Sequence, residues 1–198
     1  LDYWDYDISN CHYTILQQVA GYYNIKLGGS FDYYINNKKQ IRTELAFKLN
    51  VDIQKIKSVL IAILYGASKE VRDECEITKL IGQKNHKLLN EDPFIDRLFK
   101  DRAKVTNEII SITEEEQTKH HFLKIRGKTK QYYENIRNKK LFLYEDGKKV
   151  VKRRILAHLL QGLESKMLDI CLSNGRDKQI KVLIHDGFIS DGTLDEKS

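Results

Sequence analysis

The chain has 198 residues, 41% of them hydrophobic and 31% charged, which is enough to bury a core of its own. No run approaches the ~20 apolar residues that a membrane-spanning helix needs, so a soluble globular protein without membrane partners is expected. Lys and Arg number 34 against 28 Asp and Glu, giving a net charge of +6 and a pI of about 9.0. That balance suits a polyanion, because each phosphate neutralised releases counterions. The 11 Tyr and 7 Phe add aromatic faces that can stack on bases.

Cys11, Cys75 and Cys171 are widely spaced and form no CxxC pair, which argues against a disulfide framework or a structural zinc site. An intracellular reducing compartment, most simply the cytoplasm, is the expectation. His120 and His121 read as part of a solvated helix face. The sequence opens on Leu1 without a signal peptide and ends in a polar run, so it reads as a piece of something longer.

Leu1 to Ile8 is an aromatic and acidic run predicted as a strand, with Ser9 or Asn10 capping a following helix that carries Ile15, Leu16, Val19 and Ala20. Gly28 and Gly29 break the pattern. From Lys38 to Glu76 the chain reads as helical: Ile41, Leu45, Leu49, Ile53 and Ile56 recur at three and four. Asp52 caps a helix from Ile53 to Leu64, and another helix is predicted from Ser68. Residues 77–135 are charge-rich, with helices at Pro93 to Arg102 and Ala103 to Phe122. Lys140 to Lys152 is predicted to form a hairpin about Asp146-Gly147. Arg153 to Leu172 is a long amphipathic helix ended by Asn174-Gly175. Lys178 to Asp186 is a strand, and Phe188 to Ser190 a second short one.

Four segments together resemble the family A (DNA polymerase I-like) DNA polymerases and the related single-subunit phage-type RNA polymerases. Tyr6-Asp7-Ile8-Ser9 is similar to the motif in which an aspartate leaves a strand toward a helix. Lys57 through Tyr65-Gly66 resembles the fingers helix, where a lysine precedes a Tyr-Gly pair by eight residues. Arg153 to Gln161-Gly162 is similar to the helix that tracks the primer–template duplex. Ile184-His185-Asp186 resembles the His-Asp turn between two strands. The resemblance implies an α+β fold: a polymerase palm, with an antiparallel sheet bearing two catalytic Asp at strand ends, and a helical fingers insertion. It divides the chain into palm (1–27), mainly helical fingers (28–135) and palm again (136–198), in a fragment that lacks the thumb.

The implied activity is template-directed nucleotidyl transfer that extends a primer 3′-hydroxyl with nucleoside triphosphates. Phosphoryl transfer asks the protein mainly for positioning and charge cancellation. Two Mg²⁺ ions would be held by Asp7, Asp186 and the Ile8 main-chain carbonyl, with Lys57 as a third catalytic group at the leaving phosphate. The resemblance places Lys57, Tyr65, Gly66, His12 and Lys55 around the nucleotide, and Arg153, Gln161, His185 and Lys152 against primer–template nucleic acid. It also implies a separate thumb region or accessory subunit. The Lys, Ile and Asn bias suggests an AT-rich genome of phage, plasmid or organelle type.

The pattern departs from the family at several points. Ile53 stands where a second basic residue is expected, with Lys55 as a substitute, and Ile61 where a ring packs on the incoming base. Ala157 replaces a duplex-contacting asparagine, next to His158, and Gly187 follows the second aspartate. His12 occupies the sugar-selecting position, where DNA polymerases of the family place glutamate and RNA polymerases glycine. An imidazole can obstruct a 2′-hydroxyl or bond to it, so DNA and RNA synthesis both stay open, with the motif separations favouring DNA. The alternatives of another class are a catalytically degenerate module that binds nucleic acid or a protein partner, and a basic helical nucleic-acid-binding or interaction protein unrelated to polymerases.

Overall fold

The structure is a computed structural model. It describes residues 4–7, 11–113, 115, 122–125, 128–142, 144–145, 148–149, 151–171, 180–184 and 187–190. Helical spacing of apolar residues sets most of what they form. The first helix, α1 (Cys11–Tyr22), buries Cys11, Tyr13, Ile15, Leu16 and Ala20. The second, α2 (Ser30–Leu49), starts after Gly29, whose φ of 80° only glycine takes without strain, and closes on Asn50 in the left-handed region. The third, α3 (Ile53–Leu64), starts as the sequence predicts: Asp52 is its cap, and the Asp52 side chain accepts from the Gln54 N–H at 2.6 Å. It buries Ile56, Val59, Leu60, Ile63 and Leu64, leaving Ile53, Lys57 and Ile61 on the exposed face.

Beyond α3 the chain departs from expectation. No helix starts at Ser68; its Oγ accepts from the Glu70 N–H in a local turn instead. The fourth helix, α4 (Glu76–Asn90), lies in the charge-rich stretch that periodicity left unassigned, and it kinks at Gly82. The fifth, α5 (Pro93–Thr113), runs unbroken through Arg102 and Ala103, where two helices are expected. Pro93 sits in its first turn and Asp92 accepts from the Phe94 and Ile95 N–H groups. The sixth, α6 (Lys152–Cys171), matches its prediction to within a residue.

One apolar cluster joins side chains of all six helices, from Leu16 on α1 through Leu60 and Leu98 to Leu156 and Leu160 on α6. The core is thus shared by residues of all three expected segments. A buried carboxylate ties the α1–α2 link to α5: Asp101 accepts from Gly28 N–H (2.6 Å), Ser30 N–H (3.0 Å) and Ser30 Oγ–H (2.7 Å).

The strands are short and fall into separate small sheets, all antiparallel. β1 (Trp4–Asp7) pairs with β8 (Gly187–Ser190), which pairs with β7 (Ile180–Ile184); Asp7 stands opposite Gly187. β2 (Phe122–Ile125), β3 (Lys128–Glu134) and β4 (Lys140–Phe142) form a second group, so Phe122 belongs to a strand and not to a helix. β5 (Tyr144–Glu145) and β6 (Lys148–Lys149) pair across 146–147, while Lys140–Phe142 joins β3 rather than that hairpin.

The expected fold class is therefore corrected. The described residues are mainly helical, and no palm sheet with two aspartates at strand ends is formed among them. The physical reason lies in the distribution of apolar side chains. Among the described residues, nearly all the buried ones recur at helical spacing and pack helix on helix. Strands of two to seven residues supply too little apolar area to organise a core. Asp7 closes β1, but Ile8, His185 and Asp186 lie outside the described residues.

Candidate nucleic-acid interface

The end of α3 is the most chemically loaded place in the described structure. Tyr65 and Gly66 close that helix by donating to the Ile61 and Ile63 carbonyls, both at 3.0 Å. Gly66 has φ +93°, and a Cβ there would stand 3.2 Å from the Arg153 Cβ. Glycine thus provides both the turn and the close approach of the α3 terminus to the start of α6.

Beside that contact lies a cavity of about 360 Å³, lined by Gly66, Arg102, Thr106, Asn107, Lys152 and Arg153 together with three apolar side chains. Three cations line it and no acidic side chain does. Arg102 is half-buried with its Nε unpartnered, and burial draws its pKa below the ordinary guanidinium value. The Thr106 Oγ is buried and also unpartnered, while Lys152 Nζ donates to Asn107 Oδ1 at 2.6 Å. A half-buried guanidinium flanked by two more cations is costly unless an anion comes to it.

Across the α3 terminus, His12 on α1 meets Tyr65: the Tyr65 hydroxyl and His12 Nε2 are 3.0 Å apart, with the rings edge to face. The same nitrogen lies 3.4 Å from a Glu164 carboxylate oxygen on α6. Thus His12, Tyr65, Gly66, Lys152 and Arg153, which the sequence distributes over three segments, come together around one helix end. Gln161 is exposed farther along α6.

Lys57 lies elsewhere. It lines a groove of about 220 Å³ between α2 and α3 with Lys38, Lys39, Arg42, Ile53 and Gln54. Arg42 is held there by the buried Tyr34, whose hydroxyl oxygen accepts from both Nε and Nη2 of the guanidinium. Lys55 is exposed but does not line that groove, where Lys38, Lys39 and Arg42 of α2 stand with Lys57.

Sequence reasoning missed Arg102, Thr106, Asn107, Glu164, Arg42, Lys38 and Lys39 in these places. They sit on helices whose facing partners periodicity alone does not name. The Arg102 position carries one signal, an arginine following Asp101 in an otherwise amphipathic helix. No protein-family model and no curated protein matches the chain.

Proposed function

We propose that the chain is a template-directed nucleotidyltransferase that extends a primer 3′-hydroxyl, of the DNA-polymerase type. The observation that carries the reading is the cation-lined cavity at Gly66 and Arg153, with its neighbouring His12–Tyr65 contact. A polyanion is the ligand that offsets three cations around unpartnered buried donors. Tyr65, whose ring offers a face that can stack on a base, directly precedes Gly66 in the chain. In this reading Arg153, Lys152 and Arg102 hold backbone phosphates, Tyr65 and His12 border the nascent pair, and Lys57 with its α2 neighbours faces the triphosphate. Gln161 and His185 contact the duplex, and a thumb region or accessory subunit adds grip.

Asp7, Asp186 and the Ile8 carbonyl are the hard oxygen donors that fit Mg²⁺, and β1 sets Asp7 opposite Gly187, the chain neighbour of Asp186. Two such ions, when bound, would supply charge neutralisation and a more acidic 3′-hydroxyl.

The test is Mg²⁺-dependent extension of a labelled primer on a DNA template, with dNTPs and NTPs in parallel. Template-dependent extension that vanishes in Asp7→Asn and Asp186→Asn, and weakens in Arg153→Ala, is the expected result. Extension retained in Asp7→Asn would refute the metal assignment. The exposed Ile53 and Ile61, 38% and 41% accessible where a basic residue and a ring are expected, favour a second reading as a nucleic-acid-binding module. Duplex binding without extension under either nucleotide set would select it.

A further inference from the structure

A cluster where α1 packs on α6 has a different chemistry from Asp7 and Asp186. The Cys11 thiol, the His12 imidazole and the Glu164 carboxylate place one donor atom each within 4.8 Å of one another. Cys11 is buried, and His12 and Glu164 are mostly covered, with side-chain exposures of 21% and 17%. The three come from two packed helices, α1 and α6, so the framework that holds them is rigid.

The geometry suits a small tetrahedral ion. Zinc bonds of about 2.1 Å to nitrogen and oxygen give a donor–donor edge of roughly 3.4 Å. His12 Nε2 and Glu164 Oε2 are 3.4 Å apart. The thiol sulfur lies within 4.8 Å of both donors. A thiolate and an imidazole select a borderline-soft ion and disfavour Mg²⁺, which takes oxygen ligands.

We propose that Cys11, His12 and Glu164 form a binding site for a zinc-type divalent ion, separate from any hard-ion site, with its fourth position open to solvent or ligand. Binding forms Zn–S, Zn–N and Zn–O bonds and releases the Cys11 thiol proton to solvent; no electron is transferred. The site is coupled to Tyr65. His12 Nε2 has one lone pair, so it ligates the ion or bonds the Tyr65 hydroxyl, but not both. Ligation of the ion through Nε2 therefore breaks the His12–Tyr65 contact at the end of α3. The proposal stands on these three side chains and does not depend on the nucleotidyl-transfer reading.

Co²⁺ is the direct probe, since a cobalt–thiolate bond gives a charge-transfer band in the near ultraviolet. One equivalent should bind, be displaced by Zn²⁺, and lose the band in Cys11→Ser, while Cys75→Ser and Cys171→Ser keep it. Glu164→Gln, which keeps the size of the side chain, should weaken Zn²⁺ binding by about tenfold or more. Tyr65→Phe should tighten it by removing the competing hydrogen bond. A band that survives in Cys11→Ser, or an unchanged affinity in Glu164→Gln, would overturn the site. An unchanged affinity in Tyr65→Phe would overturn the shared nitrogen.

Discussion

Gly162→Ala isolates one packing constraint with a sign opposite to helix propensity. Gly162 lies on α6, and a Cβ there would stand 2.7 Å from Asn135 Cγ, 2.8 Å from its Cβ and 2.9 Å from its Nδ2. Asn135 cannot yield freely. Its Nδ2 donates to the His158 carbonyl at 3.0 Å, and its Oδ1 accepts from the Arg137 and Lys139 N–H groups at 3.0 and 3.1 Å. Moving it away endangers three hydrogen bonds, each with a net contribution of about 1 kcal/mol. Alanine in place of a helical glycine returns about 1 kcal/mol. The expected net loss is therefore on the order of 2 kcal/mol, measured as a lower urea midpoint at unchanged slope. Gly21→Ala is the matched control: it is on α1, its added Cβ meets nothing within 4 Å beyond its chain neighbours and its own helix backbone, and it should stabilise by up to about 1 kcal/mol. A Gly162→Ala protein as stable as Gly21→Ala would refute the packing argument.

Asp101→Ala leaves the Gly28 and Ser30 N–H groups without their acceptor and should cost on the order of 3 kcal/mol in chemical denaturation. Burial lowers the pKa of His86, whose Nε2 is unpartnered, and also that of His158. The unfolded chain therefore binds more protons just below the ordinary histidine value of about 6.5. Stability present above that pH should fall as pH drops toward the folded values, and His86→Gln should flatten the fall; a slope unchanged in His86→Gln contradicts this. In primer extension, His12→Gly should raise ribonucleotide use relative to deoxyribonucleotide. An unchanged sugar preference removes His12 from the selecting role.

The helices were legible in sequence where polarity and capping agreed. The Asp52 cap and the apolar rhythm of Ile56, Leu60 and Leu64 define α3, and α6 is equally plain. The helix at Glu76–Asn90 was hidden because lysines and a mid-helix Gly82 dilute its apolar face. The β2–β3 pair was hidden because lysines and threonine interrupt its alternation. At the cavity beside Gly66, Tyr65, Gly66 and Arg153 are residues to which the similarity to polymerase motifs points, and the structure brings them near one another. Arg102 and Glu164 required the tertiary packing of α5 and α6 against α3 and α1, which no local pattern encodes. The reading of an α+β palm fails for a related reason: β1, β7 and β8 do pair, but only into a small sheet, whereas nearly all the buried apolar side chains among the described residues belong to helices.

The cavity beside Gly66 permits a separation of roles by salt. Arg153 is exposed at the start of α6, whereas Arg102 is half-buried with an unpartnered Nε. An exposed arginine that meets one phosphate contributes roughly one released counterion, so Arg153→Ala should lower the slope of log affinity against log salt by about 1. Arg102→Met keeps an unbranched apolar stem at that position and removes a half-buried charge. Interactions of such a charge are screened less by salt. Its loss should therefore weaken duplex binding at every salt concentration, including those where the Arg153 effect has faded. Equal and salt-independent losses in both variants would place the polyanion outside this cavity.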